Sequence, residues 1–86
     1  MNAVLYASGV KVFEVKRDGV TYLLEESEAG GYVASVPGLD GCYSQGETLD
    51  EAVDNIEDAF NLFIGASREL GRTLPPQFAN ATARAI

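Results

Sequence analysis

Between Thr48 and Pro75 the apolar residues Leu49, Ala52, Val53, Ile56, Ala59, Phe60, Phe63 and Leu70 recur at steps of three and four. That spacing predicts one amphipathic helix whose apolar stripe must be covered by another part of the chain. Thr48-Leu49-Asp50-Glu51 fits a capping box, with the Thr48 hydroxyl accepting from the Glu51 backbone N–H while the Glu51 side chain reaches back. Gly71 and then Pro75-Pro76 end the helix, giving it about 22 residues, or roughly 33 Å. Gly65 lies inside it, where a bend or a frayed turn would fall.

The cover is predicted to be β-sheet. Val10 to Lys16 (VKVFEVK) alternates as a strand, and Asp18-Gly19 behind it is a tight-turn signal. Val20 to Glu26 (VTYLLEE) forms the next strand, Glu28 to Gly31 a second turn, and Tyr32 to Val36 (YVASV) a third strand with Tyr32, Ala34 and Val36 on one face. Pro37 has no N–H for a ladder and ends that strand. Gly38, Gly41 and Gly46 then punctuate a corner, VPGLDGCYSQGETLDEA, in which Cys42 to Gln45 offers a short fourth pairing segment. The predicted architecture is α+β: an antiparallel sheet of three to four strands, β-β-β-α in order, with one long helix packed on it. The tail, residues 77–86, reads as a final edge strand or as an irregular segment anchored by Phe78, with the strand favoured. Residues 1–9 carry no clear signal.

A chain of 86 residues has room for one domain, read here as 1–86 with its core at about 10–76. So small a domain buries only roughly 60% of the surface its unfolded chain exposes, which makes a homodimer or higher homo-oligomer the default expectation. No apolar run nears the roughly 20 residues a bilayer demands, and the N-terminus has no signal-peptide pattern. With one cysteine, Cys42, no internal disulfide forms, so a reducing, cytoplasmic setting is expected.

Thirteen acids against six bases give a net charge of −7, which repels nucleic-acid phosphate and excludes direct nucleic-acid binding by this chain alone. The absence of histidine rules out Ser-His-Asp and Cys-His catalysis. Cys42 is surrounded in sequence by Asp40, Glu47, Asp50 and Glu51, whose charge disfavours a thiolate, so it reads as a small buried hydrophobe. GLDGCYSQG matches neither a P-loop nor a dinucleotide fingerprint, and no cofactor is expected. Asp50, Glu51, Asp54, Glu57 and Asp58 recur at helical spacing on the outer face of the helix. They read as a solvated face or as a docking face for a basic partner; spread over about two turns, they are too dispersed to converge on one metal ion.

The segment from about Tyr22 to Pro76 resembles the HicB-like antitoxin family. The residues that carry the resemblance are Gly31-Tyr32, Val36-Pro37, Gly41-Cys42, Ser44-Gln45-Gly46, Thr48-Leu49, Glu51-Ala52 and Asn55, in that order and spacing. The resemblance implies a partial ribonuclease-H-like fold without nuclease activity. It further implies that the domain binds a small basic toxin of the HicA type, covering the RNA-binding surface and the histidine with which that toxin cleaves mRNA. Only ten residues follow Pro76, so the DNA-binding segment that many members carry is not expected, and the strand Val10 to Lys16 lies outside the usual core. Two other functions stay open: an orphan homo-oligomeric binding protein with no toxin, and a metal-dependent nuclease suggested only by topology and carboxylate number.

Overall fold

The strand signals resolve into a five-stranded antiparallel meander in the computed structural model, which describes residues 3–7 and 10–78. The strands are β1 (Ala3–Ala7), β2 (Val10–Arg17), β3 (Val20–Glu26), β4 (Tyr32–Ser35) and β5 (Tyr43–Gly46), each paired with its neighbour in sequence. β1 is the strand that the sequence left undetermined; it pairs with β2 from Ala3 opposite Glu14 to Ala7 opposite Val10. The α+β class therefore holds, with the sheet one strand wider than expected.

Asp18 and Gly19 both have positive φ, 51° and 80°, which matches the right-handed twist of the strands they join. The register Val15 to Tyr22 and Leu24 to Ala34 then aligns Val15, Tyr22, Leu24 and Ala34 on one face, all buried. α1 (Leu49–Glu69) covers that face with Ala52, Val53, Ile56, Phe60 and Ile64. It packs chiefly on β5, then on β4 and β3. At 21 residues it has the expected length and runs unbroken through Gly65. Its C-terminus closes with the Arg72 N–H donating to the Ser67 carbonyl at 2.8 Å and the Gly71 N–H to the Arg68 carbonyl at 3.2 Å.

Leu70, expected on the covering stripe, is 66% exposed, whereas Ile64, absent from that reading, is fully buried. The buried positions along this half of α1 are Phe60, Ile64 and Ser67, and Leu70, the C-cap residue after the helix, lies past them in solvent. Phe78, in a short 3-10 turn (Pro76–Phe78), returns to close this end by packing its ring 5.7 Å from Phe60. The edge strand expected beyond it lies outside the described residues.

Tyr22 is buried and meets Phe60 edge-on at 6.1 Å. Burial, with a smaller push from the Glu57 carboxylate, raises its phenol from an ordinary 10 to about 12. Because the folded value is the higher one, the stability tied to this proton is fully present below pH 10 and is lost as pH rises through about 12. Stability is expected to fall by about 2 to 3 kcal/mol across that window, and Tyr22→Phe to remove this part of the fall in urea titrations at both ends of it.

Candidate functional site

The corner between β4 and α1 is built by close approaches. Gly46 ends β5 directly beneath the first turn of α1, where an added Cβ would lie 2.8 Å from the Ala52 Cα and the Glu51 carbonyl carbon. Gly31, at φ +76°, opens β4 beside it, and a Cβ there would lie 2.7 Å from the Gly46 carbonyl oxygen. Asn55 donates its side-chain amide to the Gln45 carbonyl at 2.7 Å, tying the second turn of α1 to the outer strand. Thr48 caps the helix as expected, accepting from the Glu51 N–H at 3.1 Å. The Glu51 carboxylate reaches one residue further back than a standard capping box and accepts from the Glu47 N–H at 3.0 Å.

Gly31, Tyr32, Gly46 and Asn55, dispersed over 25 residues of sequence, thus meet around one polar cleft of about 540 Å³ beside Glu51. Leu39 and Cys42 turn inward from the corner into the core, while Pro37 and Gly41 stay exposed. Burial pushes the Cys42 thiol up, away from thiolate character. A thiol reagent is therefore expected to modify Cys42 roughly a hundredfold more slowly in the native chain than in denaturant; equal rates would place it outside the core. Among the tyrosines, Tyr22 is core and Tyr32 is half-buried against Phe13 at 6.0 Å. Tyr43 is 64% exposed on the sheet face opposite the helix.

The five helix carboxylates do not behave alike. Glu51 serves the cap. Arg17, at the end of β2, donates to Asp54 at 3.1 Å and to Glu57 at 3.4 Å, and Glu57 is the most enclosed of the group, its side chain only 20% exposed. The hydrogen bond to Asp54, followed by the charge of Glu57, holds the Arg17 guanidinium above its ordinary range despite the opposing effect of burial. This exposed ion pair stabilises the fold by no more than about 1 kcal/mol. Asp50, Asp54 and Asp58, one turn apart, form an exposed row along the flank of α1. Arg17 was not legible as part of this flank, because its place there depends on strand register and helix docking across 37 residues of sequence. Among the described residues no group of three His, Cys, Asp or Glu side chains is placed to hold a metal ion. No helix among them is long and apolar enough to cross a membrane.

Sheet, corner and acidic row together define a small α+β domain that concentrates negative charge on one helix flank. A family model described as HicB-like antitoxin of bacterial toxin-antitoxin system matches residues 21–84. The chain belongs to this HicB-like antitoxin family. Among its relatives, a UPF0150 protein of Synechocystis sp. is 52% identical over 44 residues, covering 51% of this chain and 56% of the relative. A second UPF0150 protein, from Thermoplasma acidophilum, is 36% identical over 55 residues, covering 64% of this chain and 80% of the relative. An uncharacterised 14.9 kDa protein of Haemophilus phage HP1 is 44% identical over 45 residues, covering 52% of this chain and 34% of the relative. The chain thus spans little more than half the length of the first of these relatives. No solved structure matches the chain.

Proposed function

We propose that this chain is the antitoxin of a HicA/HicB-type pair, a non-enzymatic cytoplasmic protein that binds a small basic mRNA-cleaving toxin and covers its RNA-binding surface. The observation that carries this reading, beside family membership, is the row Asp50, Asp54 and Asp58. Like charges one turn apart cost a helix roughly 0.2 to 0.5 kcal/mol per pair, and Arg17 offsets the charge of this row only at Asp54, its middle member. A basic protein laid along the row would remove that cost and be steered toward it from solution. On this reading the fold is the partial ribonuclease-H type of the family without its chemistry, and incubation with RNA, DNA or hybrids and magnesium or manganese is expected to give no cleavage.

The test is to co-express the tagged chain with the neighbouring reading frame and to recover a small basic protein that is toxic alone and harmless in the complex. Asp50→Lys with Asp58→Lys leaves the Arg17 ion pair in place, so this double variant is expected to fold normally. It should bind the partner at least tenfold more weakly, a loss of about 1.4 kcal/mol or more. Unchanged affinity, measured by calorimetry, would make the row a solvated face. A second reading, a homo-oligomeric binding protein without a toxin, is favoured by the large exposed hydrophobic residues Leu62 and Leu70; recovery of the chain alone as a stable oligomer would support it.

A further inference from the structure

The polar cleft between the β3–β4 turn and the start of α1 presents chiefly groups that accept hydrogen bonds. Its lining includes the carboxylates of Glu47 and Glu51, the side-chain oxygens of Ser44 and Asn55, and Tyr32, and no lysine or arginine borders it. With a volume of about 540 Å³ it has room for a long side chain. Most of its acceptors are unused. Asn55 gives its amide N–H to the Gln45 carbonyl and keeps its own side-chain oxygen open, while Glu51 accepts from the Glu47 N–H with Oε1 and keeps Oε2. Among the described residues, neither the Glu47 carboxylate nor the Ser44 hydroxyl has a partner in the chain.

The beginning of α1 beside the cleft does not make this an anion site. The Glu51 N–H already donates to Thr48, and Asp50 and Glu51 stand in the first turn, where their charge answers the positive end of the helix. An anion would meet two carboxylates, so the cleft selects a cation. Acceptors spread over several walls suit a guanidinium, whose five N–H donors lie in a fixed planar fork, better than a compact ammonium with three. Tyr32 adds an aromatic surface, to which guanidinium is also drawn.

We propose that this cleft takes an arginine side chain of a protein partner. The proposal rests on the antitoxin reading and deepens it: Asp50, where the acidic row begins, directly precedes Glu51, so a basic protein laid along the row reaches the cleft at its end. The row, made of exposed carboxylates, attracts lysine and arginine alike; the cleft adds a preference for arginine.

The probe is acetyl-glycyl-arginyl-glycine amide, titrated into the full isotope-labelled chain and followed by amide NMR. The backbone signals of Gly31 and Gly46 and the side-chain amide of Asn55 are expected to move together and to saturate with a dissociation constant of about 1 to 10 mM. The lysyl peptide, equal in charge, should bind at least about threefold more weakly. Glu47→Gln with Glu51→Gln should weaken arginyl binding at least about tenfold, and the amide at position 51 can still accept in the cap, which keeps the fold. Asp40→Asn with Glu69→Gln removes the same charge from exposed positions outside the cleft and should change the affinity less than about twofold. A lysyl peptide that binds as tightly, shifts confined to the flank of Asp54 and Asp58, equal losses in the two double variants, or no shift up to about 50 mM peptide would each overturn the proposal. Capture of a co-expressed toxin by a chain whose cleft is silent to the peptide would overturn it and leave the antitoxin reading standing. A cleft that binds the peptide as described, in a chain that captures no toxin, would support it and count against that reading.

Discussion

Replacing Gly46 with alanine is expected to destabilise the chain by about 3 kcal/mol and to lower its melting temperature by roughly 12 to 24 °C. The physical reason is that the new methyl group would meet backbone on the far side. The Ala52 Cα and the Glu51 carbonyl carbon would lie 2.8 Å from it, and neither can swing away as the end of a long side chain could. Relief requires the first turn of α1 to lift from β5, which would also stretch the Asn55 to Gln45 hydrogen bond and weaken the cap at Thr48. Gly46 does not have positive φ, so backbone conformation is not the cause and alanine is the informative substitution. A thermal melt within a few degrees of the parent would show that helix and strand do not approach each other as closely as described.

Ile56→Ala is expected to cost about 4 kcal/mol. Ile56 is fully buried at the middle of the helix face, in the same cluster as Leu24, Ala34 and Phe60. Its loss removes the transfer free energy of three carbon atoms and leaves a void that the rigid sheet can only partly close. Domains of this size have a total stability of about 5 to 15 kcal/mol, so the variant should be partly unfolded at body temperature. Leu62→Ala, from the same helix and chemical class, should change stability by less than about 0.5 kcal/mol because Leu62 is mostly in water already. Urea titrations of the two variants side by side measure the contrast. Similar losses in both would mean that the helix is rotated from the orientation described.

Other predictions read different parts of the molecule. The alkaline loss tied to Tyr22 reports on the sheet side of the core, the slow modification of Cys42 on the corner, and the charge reversals at Asp50 and Asp58 on the flank. A fold that passed the first two tests and failed the third would still be a member of this antitoxin family, with the acidic row a solvated face.

The main outline was written locally along the chain. Asp18-Gly19 favours a tight turn, Pro37 cannot donate to a ladder, and Thr48 with Glu51 favours a helix start, because each depends on the backbone within a few residues. The motif series that marks the family is legible for the same reason, as an order of residue types. What those residues do together was not legible. Gly31, Tyr32, Gly46 and Asn55 meet at one cleft only because β4, β5 and α1 fold over one another. Arg17 joins the acidic flank only because β2 ends beside the middle of the helix.

The helix stripe shows where local reading stops. Periodicity assigned Leu70 to the covered face and missed Ile64, because a repeat of three and four states which residues share a side but not which of them the rest of the chain covers. The packing of α1 on the sheet and the return of Phe78 decided that, and they left Leu62, Ala66 and Leu70 in the open. The sequence by itself determined the turns, the cap, the α+β class and the family, since these rest on short-range sterics and hydrogen bonding. The tertiary structure alone decided which side chains converge and which apolar residues remain without cover, because burial is a property of surfaces brought together from distant parts of the chain.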